Sequence, residues 1–217
     1  QLNDCWPGAS WSSLDYFGNW KALHYYAKNF FTPLLIVIST KDDTLDVSIV
    51  NDNNDINNSK LLLELIDFNG NSLNKHKLSV DIISNSSKEV FSCDINSLLE
   101  NHDKNNVLLR SSIIFEGKTL SSNDYFFVKP KELALPKQDY SVNIEKNENN
   151  HIIEIESKSF LYRFYMICCN DSGAFSDNYF HMLPGQKRKV VFSPSNENKN
   201  NQNSNLEFDF NSLQGLS

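Results

Sequence analysis

The run LLIVISTKDDTLDVSIV, residues 34–50, decides the fold class of this 217-residue chain. Its first part, Leu34–Ser39, is a short apolar stretch typical of a buried strand. In its second part apolar and polar side chains alternate strictly: Leu45, Asp46, Val47, Ser48 and Ile49. Because successive side chains of a strand point to opposite faces, this alternation places the apolar ones on one face. The run therefore predicts two strands with a buried face, as in a β-sandwich.

Short strands of the same kind recur at regular intervals downstream. Five more are predicted, at residues 61–66, 78–83, 89–93, 107–115 and 125–128. With the first two they make seven short strands, which fits one immunoglobulin-like sandwich. The polar run 51–59 predicts a loop, and residues 94–101 predict a single helical turn.

A second β unit follows a linker that is bounded by prolines. The linker is KPKELALP, residues 129–136, in which each Pro disfavours helix before it and removes a ladder donor. Beyond the linker, strands are predicted at residues 140–144, 153–155, 160–168 and 190–192, and polar loops at residues 147–150 and 196–205. The sequence thus predicts two sandwich domains, at residues 32–130 and 131–217.

Upstream of the strands, the hydrophobic pattern changes to that of a helix. Between Asn19 and Phe31 the apolar residues recur at helical spacing: Trp20, Leu23, Ala27, Phe30 and Phe31. Such a stripe packs against another surface. The segment begins after Gly18 and is ended by Pro33.

Charge and hydropathy exclude several classes of partner. The formal net charge is -7 and the isoelectric point is about 5.2, whereas binding of nucleic acid or an anionic membrane needs clustered Lys and Arg. The longest nearly apolar stretch, residues 30–38, is interrupted by Thr32 and Pro33 and is far shorter than the roughly 20 residues of a spanning helix. We predict no nucleic-acid partner and no membrane partner.

The four cysteines predict neither a metal site nor a disulfide framework. They lack C-x-x-C spacing and a nearby pair of histidines, so no metal and no cofactor is expected. Cys168 and Cys169 are adjacent in an apolar run and are interpreted as small buried hydrophobes. An immunoglobulin-type disulfide is not supported, because no Trp follows Trp20.

Three N-x-[ST] triplets, at Asn57, Asn85 and Asn170, point to a lysosomal or secreted route. The triplet also arises by chance in a chain rich in Asn and Ser. The compartment therefore stays open.

The first 31 residues, QLNDCWPGASWSSLDYFGNWKALHYYAKNFF, contain all three tryptophans and no initiator Met. They resemble the end of the catalytic barrel of β-mannosidases of glycoside hydrolase family 2, where QLND-x-WP-x-x-SWSS-x-DY precedes a WK-x-LHY-x-A-K helix. NDYFFVKPKELALP, residues 123–136, and FSDNYFHMLPGQKRKVVF, residues 175–192, are similar to later blocks of the family. The tail LEFDFNSLQGLS departs from the family pattern, which leaves open whether residues 206–210 form a final strand.

The resemblance implies a mainly β chain: two immunoglobulin-like β-sandwiches preceded by the last strand, within residues 1–6, and the last helix of a (β/α)₈ barrel. Residues 1–31 would be the barrel remnant, and most of the enzyme is expected upstream. The family hydrolyses terminal non-reducing β-D-mannose residues of oligosaccharides or glycoproteins, with retention. Its two catalytic carboxylates lie on earlier barrel strands, so this part is expected to be catalytically inert and to brace the barrel.

The resemblance also places three candidate substrate-binding residues, Asn3, Asp4 and Trp6, at the end of the barrel strand. Active-site residues of such barrels lie at the C-terminal ends of the strands. Trp6 would stack on a sugar of a β-mannoside oligosaccharide, and Asn3 and Asp4 would bond its hydroxyls. The alternatives are that Trp6 packs in the barrel rim and that Asp4 orients another group. Trp11 and Trp20 are interpreted as packing residues.

Other polar residues are assigned structural roles. Asp177 and Asn178 are expected to bond the backbone of their own turn, His24 to be partly buried, and the other histidines to form no catalytic set. Rival functions are a carbohydrate-binding module, a structural tandem of sandwiches, and a family 2 enzyme for another sugar, such as a galactoside or glucuronide. The absence of Trp after residue 20 counts against the binding module.

Overall fold

A computed structural model describes residues 1–8, 10–147, 149–195 and 206–216. The helices are α1 (Ala22–Phe30) and α2 (Ile95–Leu99). The strands are β1 (Leu34–Lys41), β2 (Thr44–Asn51), β3 (Ile56–Asp67), β4 (Ser72–Ile82), β5 (Ser86–Asp94), β6 (Val107–Phe115), β7 (Lys118–Tyr125), β8 (Tyr140–Asn147), β9 (Asn150–Ser157), β10 (Leu161–Cys168), β11 (Gly173–Phe175), β12 (Phe180–Met182), β13 (Lys187–Pro194) and β14 (Phe208–Asn211).

The chain divides into two compact units. Residues 30–134 form one unit, which we call the central unit. Residues 1–29 and the described residues from Leu135 onward form the other, which we call the terminal unit. A 3₁₀ turn at Pro130–Glu132 lies in the predicted linker. No helix of the described ranges is both long and apolar enough to cross a membrane.

The central unit is a sandwich of two antiparallel sheets, with strand orders β1-β2-β5 and β4-β3-β6-β7. The predicted alternation in β2 is confirmed: Leu45, Val47 and Ile49 are buried, and the residues between them are not. They pack with fully buried side chains of the second sheet, including Leu61 and Leu63. The predicted turn at residues 94–101 is also confirmed, since α2 begins after Asp94, whose carboxylate accepts a hydrogen bond from the Ser97 amide at 2.8 Å.

Two predictions for the central unit are wrong. The run 51–59 is not all loop, because β3 already begins at Ile56; the Ser59 hydroxyl is buried and donates to the Val80 carbonyl at 2.7 Å. A strand at residues 125–128 is also wrong, since β7 ends at Tyr125. β7 is a polar edge strand, KTLSSNDY, and its hydrophobic signal is correspondingly weak.

The terminal unit contains two further antiparallel sheets, ordered β11-β13-β9-β8 and β12-β10-β14. Their core includes Ile153, Phe164, Val190 and Phe192. The strands predicted at residues 140–144, 153–155 and 190–192 fall within β8, β9 and β13, and the one at residues 160–168 matches β10 except for Phe160. The polar run 147–150 lies at the turn from β8 to β9, and the predicted loop 196–205 lies outside the described residues. The open question about the tail is answered by β14, which pairs with β10 from Tyr165 to Cys168.

Residues 1–29 pack on the sheets of the terminal unit through one face of α1. Tyr25 is 2% exposed and belongs to the core, and its hydroxyl accepts a hydrogen bond from the Phe175 amide at 3.3 Å. Burial raises the pKa of Tyr25 to about 12, against the lowering effect of that bond. The predicted apolar stripe is divided: Trp20 packs against the core, whereas Leu23 and Phe30 are about half exposed.

The predicted strand at residues 1–6 is wrong for this structure, in which Asn3 forms only an isolated bridge with Leu14. The backbone groups of a strand are paired by hydrogen bonds to neighbouring strands, and residues 1–6 have no such neighbouring strand in the part of the chain that the structure describes. The interpretation of both adjacent cysteines as buried is also wrong: Cys168 is partly buried, but Cys169 is exposed. All four cysteines are free thiols.

Candidate functional site

The three predicted site residues lie together near the start of the chain, but only Asp4 is buried, with 5% of its surface exposed. One oxygen of its carboxylate accepts hydrogen bonds from the hydroxyls of Ser12, at 2.7 Å, and Ser10. The other oxygen accepts from the Lys21 ammonium at 2.6 Å. The same ammonium donates to the Ser12 hydroxyl at 2.9 Å. Asp4 thus connects three separate positions of the segment.

These bonds keep the carboxylate ionised. The hydrogen bond from Lys21 is the largest cause, followed by those from Ser10 and Ser12, and together they lower the pKa of Asp4 to about 2. Because both oxygens are enclosed and bonded by the chain itself, Asp4 has little surface left for a sugar. This geometry favours the orienting role over direct substrate contact.

Backbone hydrogen bonds bring the same parts of the segment together. The Leu2 carbonyl accepts from the Leu14 amide at 2.8 Å and from the Ser13 amide at 3.1 Å. The Ser13 carbonyl accepts in turn from the Lys21 amide at 2.9 Å. Lys21 was not predicted as part of the site, since nothing in its spacing from Asp4 indicates the contact.

Trp6 and Asn3 point outward. Trp6 is 77% exposed, and Asn3 is exposed with its side-chain amide donating to the Asp4 carbonyl at 3.3 Å. The packing interpretation fits Trp20, which lies against the core with ring centroids 5.3 Å from Tyr25. It does not fit Trp11, which is 79% exposed. The indoles of Trp6 and Trp11 are therefore available for contacts outside the described residues.

Asp177 and Asn178 have the predicted structural roles. The Asp177 carboxylate accepts from the Asn178 amide at 2.8 Å and pairs with Arg188 at 2.7 Å. The buried Asn178 side chain accepts from the Met166 amide and donates to the Met166 carbonyl, both at 2.9 Å. The Asn178 side chain therefore connects the turn to β10 by the same two hydrogen bonds that a backbone group of a neighbouring strand would make.

Two of the histidines are engaged by neighbouring groups of the terminal unit. His24 is partly buried as predicted, with Nδ1 3.2 Å from the Ser13 hydroxyl and its ring beside Trp20. His181 accepts from the Arg163 amide through Nδ1 at 3.1 Å. Across residues 1–8, 10–147, 149–195 and 206–216, no group of three His, Cys, Asp or Glu residues is placed to hold a metal.

Two concave regions occur in the terminal unit. A crevice of about 190 Å³ lies between residues 15–25 and strand β10, but its polar groups are satisfied; the Asp15 carboxylate, for example, accepts from Asn19 at 2.8 and 2.9 Å. A wider groove of about 360 Å³ crosses β8, β9 and β13. Its charges are paired, Lys189 with Glu154 and Lys187 with Glu156, and no aromatic ring is among the described residues that line it.

Comparisons with known families identify both sandwiches. Residues 43–132 match a model described as a Mannosidase Ig/CBM-like domain, and residues 135–214 match an Ig-fold domain. These matches confirm the predicted fold class, mainly β with immunoglobulin-like domains.

The chain is similar to curated and structurally characterised glycosidases. It is 26% identical to β-mannosidase A of Aspergillus oryzae, with 91% of this chain and 23% of the relative covered, and 28% identical to β-mannosidase of Capra hircus, with 89% and 23% covered. The crystal structure of β-D-mannosidase from Dictyoglomus thermophilum superimposes with a TM-score of 0.74 at 27% identity, over 98% of this chain and 26% of that one. The Amycolatopsis orientalis exo-chitosanase, at 14% identity and a TM-score of 0.68, shares the fold. The chain spans about a quarter of the length of these relatives.

Proposed function

Because this chain belongs to the β-mannosidases of glycoside hydrolase family 2, whose C-terminal portion it matches, we propose that it is the accessory part of an enzyme that releases terminal non-reducing β-D-mannose residues. In this proposal residues 1–31 belong to the end of the catalytic barrel, with α1 as its last helix, and the two sandwiches brace it. The substrate is a β-mannoside oligosaccharide or glycoprotein glycan.

The observation that carries the proposal is the apolar surface of residues 1–31. Eight of the fourteen exposed large hydrophobic residues in the described ranges lie there: Leu2, Trp6, Trp11, Tyr16, Phe17, Leu23, Phe30 and Phe31. A concentration of exposed apolar side chains marks an interaction surface. A barrel packed on this segment would bury side chains that the sandwiches leave in water.

The catalytic carboxylates would come from the barrel. A retaining glycosidase needs two carboxyl groups about 5–5.5 Å apart, one as acid/base and one as nucleophile. Residues 1–31 contain only Asp4 and Asp15 as acidic side chains. The Asp4 carboxylate is bonded to Lys21 and that of Asp15 to Asn19. Both side chains are thus engaged within the segment itself, which supports a structural role for them.

Within that role, Trp6 is proposed as the sugar contact. Its exposed indole offers a flat apolar face, to which the C–H face of a mannose ring is complementary. Asn3, three positions earlier in the chain, is also exposed and supplies hydrogen-bonding groups. Asp4 is proposed to orient this rim through Lys21 and the two serines rather than to touch the sugar.

The test is hydrolysis of p-nitrophenyl β-D-mannopyranoside by the full-length parent enzyme, with this chain alone assayed at the same concentration. We expect release of p-nitrophenol by the parent and none by the chain. Hydrolysis by this chain would disprove the accessory role. An inactive but folded parent would disprove the β-mannosidase assignment.

Two other functions are less well supported. A carbohydrate-binding module needs aromatic rings on an open face, whereas the groove over β8, β9 and β13 is lined by paired charges. A family 2 enzyme for another sugar is distinguished by assaying the matching galactoside and glucuronide. If the parent hydrolysed either of these substrates faster than the β-mannoside, the proposed substrate would change to that sugar.

A further inference from the structure

Arg163 has a backbone conformation that is unusual for its residue type. Its φ is 51°, in the left-handed region, which is uncommon for residues other than Gly. It lies in a bulge of β10, between the pairs Leu161–Met182 and Phe164–Phe180. The extra residue shifts the alternation by one position, so that Leu161 and Phe164 both enter the core. Residue 163 is thereby directed away from that core.

Among the described residues, the guanidinium of Arg163 contacts two aromatic rings and has no hydrogen-bond acceptor. It lies 5.5 Å from the ring centroid of Tyr26 on α1 and 5.1 Å from that of Tyr162. Its Nε is buried and has no hydrogen-bond partner within the described residues. A buried donor without a partner is costly, so this group is incompletely satisfied.

The other arginines of the chain show what is missing at Arg163. The sequence contains three. Arg110 forms a two-pronged pair with Asp124, at 2.8 and 2.7 Å, and Arg188 pairs with Asp177 at 2.7 Å while covering the Phe180 ring. No carboxylate of the described ranges lies within ion-pair distance of Arg163.

Arg163 contacts α1, the helix that carries part of the exposed apolar surface of residues 1–31. Tyr26, whose ring it covers, lies three residues after Leu23 on α1, and residues three apart are neighbours on a helix surface. Leu23 is 48% exposed. A part-buried cation thus lies on the helix residue next to the exposed Leu23, a combination that a neighbouring apolar surface with one acidic side chain would complement.

We propose that Arg163 receives an Asp or Glu side chain from the preceding part of the parent protein, where that part packs on α1. This proposal rests on the proposed function, which supplies the occupant. Because Nε is buried, the carboxylate would accept from the two terminal nitrogens of the guanidinium, in the two-pronged geometry that Arg favours. The same ion pair would fix the rotation of α1 against the barrel.

The test is carbodiimide cross-linking of the full-length parent carrying Arg163→Lys. A carbodiimide joins an ammonium and a carboxylate only when they are in direct contact, forming an amide bond with loss of water. We expect mass spectrometry to find the peptide that contains position 163 joined to an acidic residue of the preceding part. Arg188→Lys in the same protein is the matched control, because its product should join Asp177.

Three outcomes would overturn the proposal. Position 163 could be cross-linked to an acidic residue within residues 1–217, or it could be cross-linked to a second molecule. It could also form no cross-link while the control position reacts. If the Arg163→Lys parent does not fold, the cross-linking experiment is replaced by a comparison of the thermal unfolding midpoints of the Arg163→Glu and Arg163→Gln parents. A facing carboxylate should make the Glu variant unfold at a clearly lower temperature than the Gln variant, and equal midpoints would overturn the proposal. β-Mannosidase activity of the wild-type parent is measured separately, so that failure of the proposed function is distinguished from failure of this contact.

Discussion

Asp4 is the residue that most changes the interpretation of the candidate site. The motif that contains it places Asn3, Asp4 and Trp6 within four positions, and their sequence spacing gives no reason to separate them. The structure does separate them, because Asp4 turns inward to Lys21 and the serines while Trp6 remains 77% exposed. From the sequence, an orienting role for Asp4 was only one of the alternatives, because the partner of Asp4 lies 17 positions away and that spacing does not indicate the contact.

The Asp4 network predicts acid sensitivity of the segment. The pKa of Asp4 falls from 3.8 to about 2 on folding, so its stabilising contribution is complete above pH 3.8 and is lost as the pH falls through 2. We expect hydrogen-exchange protection of the Leu14 and Lys21 amides to decrease over this range. Asp4→Asn should abolish the pH dependence of this hydrogen-exchange protection, and Lys21→Met should make it smaller. Identical pH profiles for Asp4→Asn and the wild type would contradict the assignment.

Trp6→Ala in the parent enzyme is expected to lower kcat/KM for an aryl β-mannoside by roughly two- to tenfold, since an aromatic contact is worth about 0.5–1.5 kcal/mol beyond the area it buries. Trp11→Ala is the matched control, because its indole is equally exposed but is not a proposed sugar contact. Steady-state kinetics of both variants check this. Unchanged kinetics for Trp6→Ala would remove Trp6 from the site.

At the scale of single elements, strand β11 depends on a glycine. A Cβ added at Gly173 would lie 2.5 Å from the Phe192 ring and 2.5 Å from the Ser193 carbonyl. We therefore expect Gly173→Ala to lower the free energy of unfolding of the terminal unit by about 1–3 kcal/mol, as overpacking does. Urea unfolding followed by hydrogen exchange of β13 amides measures this. Gly8→Ala, where a Cβ meets nothing within 4 Å, should be neutral, and equal effects of the two would refute the steric argument.

How well each element was predicted depended on its burial. β2 was predicted because one face is buried and alternation is then strict. β7 was misplaced because its residues are mostly polar and it lies at a sheet edge, where the backbone ladder rather than side-chain burial defines the strand. The start of β3 was missed for the same reason, since Asn57 and Asn58 are exposed. The bulge at Arg163 left no signal in hydrophobic periodicity.

At the scale of the whole molecule, the proposed barrel contact predicts that one substitution has different effects in two settings. Leu23→Ala in this chain alone should change the free energy of unfolding by less than about 0.5 kcal/mol, as for other exposed sites. In the full-length parent, burial of Leu23 should raise the cost to about 2–5 kcal/mol. Denaturant unfolding of both proteins, with and without the substitution, measures the difference. Equal effects in the two would argue against a barrel packed on α1.

The attachment of α1 to the terminal unit also has a consequence for biosynthesis. The hydroxyl of Tyr25 is bonded to an amide 150 positions later, and the whole central unit lies between them in the chain. At roughly 5–20 residues per second the ribosome needs about 8–30 s to reach that partner. During this interval the Tyr25 face of the helix has no sheet to cover it, whereas the central unit is completed before the interval ends. We therefore expect the nascent chain to fold from its middle outward, with α1 docking last.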